Sequence, residues 1–360
     1  MYLDGAIDDE QLSKLTPQIL RLLQEGRQPI TIYILNSPGG RVATMEAILR
    51  LVNSPGQDFQ TPCSLITVVT DHAASAAADL LASGDYAVAY PGSSILYHGI
   101  RTPLRDATAE LTSMMSQWLR LSNDRYAMRL SRQIEFRFMW RFAILKTSFQ
   151  EIRTELNDPQ LSSADCFLYA IRQKLSSKAQ KLFLRAQTRY QRYSKLLSYV
   201  KQNAAIDAAA PERQIEGAHL KAIIDFEMAE KQNDDDWTFS VGGIAQVLDD
   251  FFILNEYLEI QKSDRLPSWC TRYGVFALLP EEYKEINAIE DEVAKKQAVL
   301  EKVRPLLEPV LSFFVAFCHA LQEDENELTA VDAYWLGLVD EVFGNKELSA
   351  LRLVGEHKDD

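Results

Sequence analysis

One apolar run that ends abruptly constrains this chain more than anything else in it. Ile30 to Leu35 is β-branched and aromatic-bearing, Pro38-Gly39-Gly40 breaks it, and Arg41 to Val52 then carries helical periodicity. A buried strand therefore turns through two glycines into a helix. Glycine lets backbone N–H groups come close to a ligand, and a helix N-terminus favours negative charge, so such a corner suits an anion. The alternation continues downstream. Ser64 to Thr70 reads as a second strand, alanine-rich Ala73 to Ala82 as a helix, and Tyr86 to Tyr90 and Ser94 to His98 as short strands joined by Pro91-Gly92.

Two side chains give this alternation a chemistry. Ser75 falls at a strand-to-helix junction, where its hydroxyl is exposed and the Ala76 N–H points along the helix dipole. His98 ends a later strand. A glycine corner, a serine opening a helix and a histidine ending a strand supply an oxyanion pocket, a nucleophile and a base. Each piece alone has a plainer reading: a turn, a helix N-cap, a satisfied core histidine. His72 is nearer to Ser75 in sequence, but neighbours in a turn usually point apart, and His219, His319 and His357 have no matching context.

Taken together, Leu3-Asp4-Gly5-Ala6-Ile7-Asp8-Asp9-Glu10, Tyr33 to Gly40, Ala73-Ala74-Ser75, Tyr90 to His98 and Leu328 to Asp340 resemble the Clp protease proteolytic subunit (ClpP-like serine peptidase) family. The resemblance implies an α/β fold of ClpP/crotonase-like stacked ββα units. It implies Ser75 as nucleophile, His98 as general base, the amides of Gly40 and Ala76 as the oxyanion hole, and no cofactor or metal. The family's third member is an acid four residues before the Ser or Thr that opens the last helix. Counting back from Thr329 gives Glu325, with Asp324 beside it. Glu323-Asp324-Glu325 also reads simply as a solvated acidic turn. The chain departs from the family pattern at Asp71, where glycine is usual, at Ala76-Ala77, where Met-Gly is usual, and at Gly99 to Leu104, which replaces a glycine-rich strand.

Composition narrows the setting. The net charge of −13 argues against general nucleic-acid binding. The four cysteines, Cys63, Cys166, Cys270 and Cys318, show no paired spacing, which excludes a disulfide framework or a zinc pattern. There is no basic region followed by an apolar core at the N-terminus, and Val310 to Leu321 is too short to span a bilayer. A cytoplasmic location with no membrane partner is expected.

The resemblance divides the chain into a core at 1–128 and 311–350, a mostly α-helical insertion at 129–310, and a disordered tail at 351–360. Asp106 to Met128 matches the family's handle helix. Phe136, Phe138, Trp140 and Phe142 alternate with polar residues, which suits a strand or a buried helix. Ser176 to Val200 predicts a helix with Arg185, Arg189 and Arg192 on one face, and Glu216 to Lys231, Val241 to Gln261 and Glu281 to Lys302 are also helical in pattern, the last as a charged helix or coiled-coil hairpin arm. Pro267, Pro280, Pro305 and Pro309 punctuate the end of the insertion. The span 129–201 holds 15 Lys/Arg against 5 Asp/Glu, and Asp234-Asp235-Asp236 is acidic. The basic face offers a site for a regulatory protein or another acidic partner, or packs against the insertion's own acids.

The expected function is a serine endopeptidase hydrolysing peptide or unfolded-protein substrates in a self-assembled homo-oligomeric ring, with docking of an ATP-driven unfoldase left open. The alternative is a catalytically inactive scaffold or regulatory subunit. A crotonase-type acyl-CoA enzyme would share the oxyanion corner but leave Ser75 and His98 surplus. A signal-peptide-peptidase-like enzyme would need a lysine base that the pattern does not offer.

Overall fold

The computed structural model describes residues 1–26, 29–54, 63–101, 108–203 and 280–349. The expected helices at Glu216 to Lys231 and Val241 to Gln261, the Asp234–Asp236 run, Cys270, Pro267 and the tail at 351–360 lie outside the described residues.

The first part alternates strand and helix: β1 (Tyr2–Leu3), α1 (Asp9–Glu25), β2 (Ile30–Ser37), α2 (Val42–Val52), β3 (Leu65–Ala74), α3 (Ala76–Ala82), β4 (Tyr86–Ala89) and β5 (Ser94–His98). Asp8 caps α1 by accepting from the Gln11 amide, and Gln11, Leu15, Ile19 and Leu23, spaced four apart, form its buried stripe. β2 buries every second residue from Ile30 to Ile34, as a pleated strand covered on one face does. β1, β2, β3, β4 and β7 (Glu341–Val342) pair in that order, all parallel. β3 changes partner along its length. Ile66–Val69 pair with β4, while His72–Ala74 pair with β5. β5 thus leaves the main sheet, and its other edge pairs antiparallel with β6 (Glu325–Thr329).

The helical part follows β5. It comprises α4 (Ala109–Leu145), a short 3₁₀ turn at Lys146–Ser148, α5 (Phe149–Glu155), α6 (Ser163–Lys174), α7 (Ser177–Asn203), α8 (Pro280–Asn287) and α9 (Glu292–Leu321), and after β6 the short α10 (Ala330–Trp335). The alternating aromatics lie on the helix α4. Phe138 and Phe142, four apart, are buried, whereas Phe136 stacks on Trp140 and is partly exposed. Phe138 stacks on Phe314 of α9 with ring centroids 4.4 Å apart, and Phe313 meets Phe183 of α7 at 4.6 Å. α9 runs unbroken through Pro305 and Pro309, which punctuate this stretch of the sequence. Over 281–302, where a charged helix or hairpin arm is expected, two helices meet, and Asp291 caps the second by accepting from the Val293 and Ala294 amides. No helix among the described residues is long and apolar enough to cross a membrane.

The expected boundary at 128 falls inside α4. Beyond it, Arg137 is buried against the sheet side of the molecule. Its Nε donates to Asp340 Oδ2 at 2.7 Å, its Nη1 to Ala82 O at 2.8 Å, and its Nη2 to Gly84 O. One turn on, Arg141 is fully buried, donates to Tyr334 O and Val339 O at 2.9 Å each, and lies 3.6 Å from the Tyr334 ring centre. Burial pushes its guanidinium down to about 10. These two arginines join α4 to the helix α3 and to the chain's C-terminal stretch. The start of α7 is tied down as well: the buried Asp332 of α10 accepts from the Ser176 amide at 2.7 Å and the Ser176 hydroxyl at 2.8 Å.

Candidate active site

The strands β2 and β3 end side by side, and the two turns that leave them touch. Ser75 sits between β3 and α3 with φ 54° and ψ −125°, one of three non-glycine residues with positive φ among the described residues. Such a conformation costs on the order of 1–3 kcal/mol and persists only where its surroundings impose it. Here the Ser75 amide donates to Leu96 O of β5 at 2.8 Å, and Ser75 O accepts the Ala78 and Asp79 amides at the start of α3. Small buried alanines on both sides, Ala73, Ala74, Ala76, Ala77 and Ala78, let the elbow pack closely.

The glycine corner lies directly on this elbow. A Cβ on Gly39, which has φ +85°, would stand 2.4 Å from Ala74 O, 2.7 Å from Ser75 Cβ and 3.0 Å from the Ala76 nitrogen. Gly40 is held by a parallel bridge to Ile7, in which Ile7 donates to Gly39 O and the Arg41 amide to Ile7 O, each at 2.8 Å. Ala76, as the first residue of α3, has an N–H with no acceptor inside its own helix. Gly39→Ala is therefore expected to disrupt the elbow, lowering stability by about 1–3 kcal/mol in urea unfolding and slowing any reaction at Ser75. Unchanged stability would mean that the corner yields without moving Ser75.

His98 closes β5 two residues after Leu96, on the same face of the strand. Its Nδ1 lies 2.6 Å from Gly99 O. A carbonyl only accepts, so Nδ1 carries the proton of this hydrogen bond. The segment after it is held by α4, whose Asn123 Oδ1 accepts the Ile100 amide at 2.8 Å. Directly across the antiparallel ladder from His98 is Glu325, the first residue of β6. Its Oε1 accepts from Arg101 Nη2 at 2.8 Å. That hydrogen bond and the Arg101 charge hold the Glu325 carboxyl below its usual range, with a smaller contribution from His98.

The structure separates the two acidic candidates. Asp324 sits in the turn before β6 with φ 55°, and its Oδ2 accepts from Arg185 Nη1 of α7 at 2.9 Å. Ser75, Ala76, the Gly39-Gly40 corner, His98 and Glu325 are gathered at the ends of β2, β3 and β5 and the start of β6. Asp324 faces the helix α7. Arg185 and Arg189, on the basic face that was open to a partner or to the chain's own acids, bond to the 320–326 turn of the same chain. Arg189 pairs with Glu323, and Lys178 at the start of α7 donates to Glu327 Oε2 at 2.6 Å. Arg101 and Arg185 were not anticipated beside the acid. Their partners lie 224 and 139 residues away in sequence, so no local pattern marks them.

An α/β sheet, parallel but for the β5–β6 pair, with a positive-φ serine turn under a Gly-Gly corner at its strand ends defines the structural class. Comparison with known families narrows the class. Residues 1–129 match the Clp protease family. A 100-residue stretch is 36% identical to the ATP-dependent Clp protease proteolytic subunit of Carsonella ruddii (strain PV), covering 27% of this chain and 48% of that one, so the chain spans about half the length of the curated relative it matches. Both findings support a ClpP-like family assignment, and with it a ClpP/crotonase-like fold. The segment 325–342, with β6, α10 and β7, lies beyond the family match and completes the sheet from the far end of the chain.

Proposed function

We propose that the chain is a ClpP-like serine endopeptidase. The observation that carries this reading is the Ser75 elbow, strained at positive φ and pressed against Gly39, with His98 and Glu325 facing each other on the adjoining strands. In this mechanism the Ser75 hydroxyl attacks the scissile carbonyl of a peptide and His98 Nε2 takes its proton. The amides of Gly40 and Ala76 hold the oxyanion of the tetrahedral intermediate. His98 then gives the proton to the leaving amine, and water repeats the sequence on the acyl-enzyme. Glu325 orients the imidazole and stabilises its cation. No cofactor enters any step. The substrate is a peptide or unfolded protein, and the working form is a homo-oligomeric ring in the cytoplasm, with the insertion shaping its outer surface.

One observation favours a second reading, that of a non-catalytic ClpP-like scaffold or regulatory subunit. In this arrangement Glu325 bonds to Arg101, and His98 Nδ1 bonds to Gly99 O rather than to an acid. A fluorophosphonate probe added to the purified protein, with native mass measured on the same sample, separates the two. Stoichiometric labelling of an assembled ring is expected. A properly folded protein that stays unlabelled as monomer and as oligomer overturns the peptidase reading.

A further inference from the structure

We infer that Arg185, on the inserted helix α7, is a positioning residue that sets the acid of the proposed Ser-His-Glu site by gripping the residues on either side of it. The inference rests on the peptidase reading for its catalytic meaning and on the following geometry for its existence. Arg185 Nη1 donates to Asp324 Oδ2 at 2.9 Å, and Nη2 donates to Asn326 Oδ1 at 3.0 Å. Those two residues flank Glu325. Nη2 also donates to Ala320 O at 3.0 Å, the last turn of α9, so one guanidinium fixes both the helix that delivers the turn and the turn itself.

The clamp sits on an unusual turn. Asp324 holds a positive φ of 55°, uncommon for a non-glycine residue. Asn326 is turned back on the same structure, its amide donating to Leu321 O at 3.0 Å and to Glu323 O. Because neighbours on a strand point to opposite faces, anchoring Asn326 towards α7 directs the side chain of Glu325 to the face that carries His98, and the hold on Asp324 fixes where the strand begins. A slip of one residue would exchange the faces and place the carboxylate of Asp324 or the amide of Asn326 towards the histidine instead. Arg189, paired with Glu323, and Lys178, paired with Glu327, brace the same segment from either end of the contact. Lysine cannot replace the fork: its single ammonium does not span two side chains and a carbonyl in one plane. The insertion therefore completes the site from outside the family-matched region.

Among the described residues, Glu325 of β6 stands across the ladder from the imidazole and Arg101, after β5, is bonded to that carboxylate. The test is an NMR titration of ¹³C-labelled histidine in the full chain, following the His98 resonance, with the rate of probe labelling at Ser75 measured in parallel. In Glu325→Gln the His98 pKa is expected to fall by roughly half a unit to one unit, the loss of a nearby opposite charge. Arg185→Ala should give a fall of similar size, and the Glu325→Gln, Arg185→Ala double variant no further fall. Arg185→Lys, which keeps the charge and most of the packing, should shift in the same direction by less and preserves the test if the alanine variant does not fold. A His98 pKa unmoved by either Arg185 substitution, or moved equally when Glu325 is already glutamine, overturns the inference, because Arg185 would then not act through Glu325. Failure of the peptidase reading looks different: the couplings persist, but wild-type Ser75 takes no probe.

Discussion

Ser75→Ala abolishes fluorophosphonate labelling and peptide turnover, Glu325→Gln lowers turnover on the order of a thousandfold, and Asp324→Asn lowers it by less than about tenfold. This is the expected result with the largest effect on activity, measured with a fluorogenic peptide and with the probe. The ordering follows from where the side chains lie. Ser75 is the group that would form the covalent bond. Glu325 stands across the ladder from His98, so its replacement leaves the imidazole cation unsupported during attack. The Asp324 carboxylate is engaged by Arg185 on the other side of the turn. Its loss weakens one arm of that clamp but leaves the bonds from Arg185 to Asn326 and Ala320. A large loss confined to Asp324→Asn would transfer the role to Asp324. If neither acid matters in an active wild type, the serine and histidine work as a dyad.

Arg137→Met has the largest expected effect on stability, a loss of about 3–5 kcal/mol, read as a shift of the urea midpoint at unchanged slope. The Arg137 and Asp340 side chains are 4% and 7% exposed, and their ion pair is 2.7 Å long. Methionine fills much of the space but leaves the Asp340 carboxylate buried, with the Ala87 amide as its remaining donor among the described residues, and removes the donors from Ala82 O and Gly84 O. The second arm of the experiment is Arg137→Met combined with Asp340→Leu, which removes both charges and should recover a substantial part of the loss. A single-variant loss below about 1 kcal/mol would show the pair to be no stronger than a surface ion pair. The effect also bears on the proposed function, since the carbonyls that Arg137 holds belong to the last residue of α3, the helix that Ser75 opens, and to the turn after it.

Much of the fold can be read from local sequence where side-chain pattern and tertiary environment agree. β5 matches its expected span of Ser94 to His98, and β2 and α2 match theirs to within two residues. Ala73 and Ala74 show where local preference fails. Alanine favours a helix, yet both residues belong to β3, because the parallel ladder to Ile95 and Leu96 captures them. That extension is what pushes Ser75 into the junction itself. The acidic run at 323–325 divides similarly: Glu323 and Asp324 remain in a turn, while Glu325 becomes the first residue of a strand whose partner, β5, lies far away in sequence. The basic face of α7 was legible as a face, but not its occupant. Charge complementarity between Arg185 and Asp324 exists only once the chain has closed on itself.

The distance along the chain between the halves of the site has a consequence for its synthesis. Arg101 and Glu325 meet across 224 residues, and β6 cannot pair with β5 until that loop has closed. A chain growing from its N-terminus presents the serine elbow and the histidine long before the acid exists. In the proposed mechanism, a half-made polypeptide carries a nucleophile and a base that nothing yet aligns. On that mechanism hydrolytic competence arrives only once β6 has been made and paired, and a truncated product released earlier would be silent towards the proteins around it.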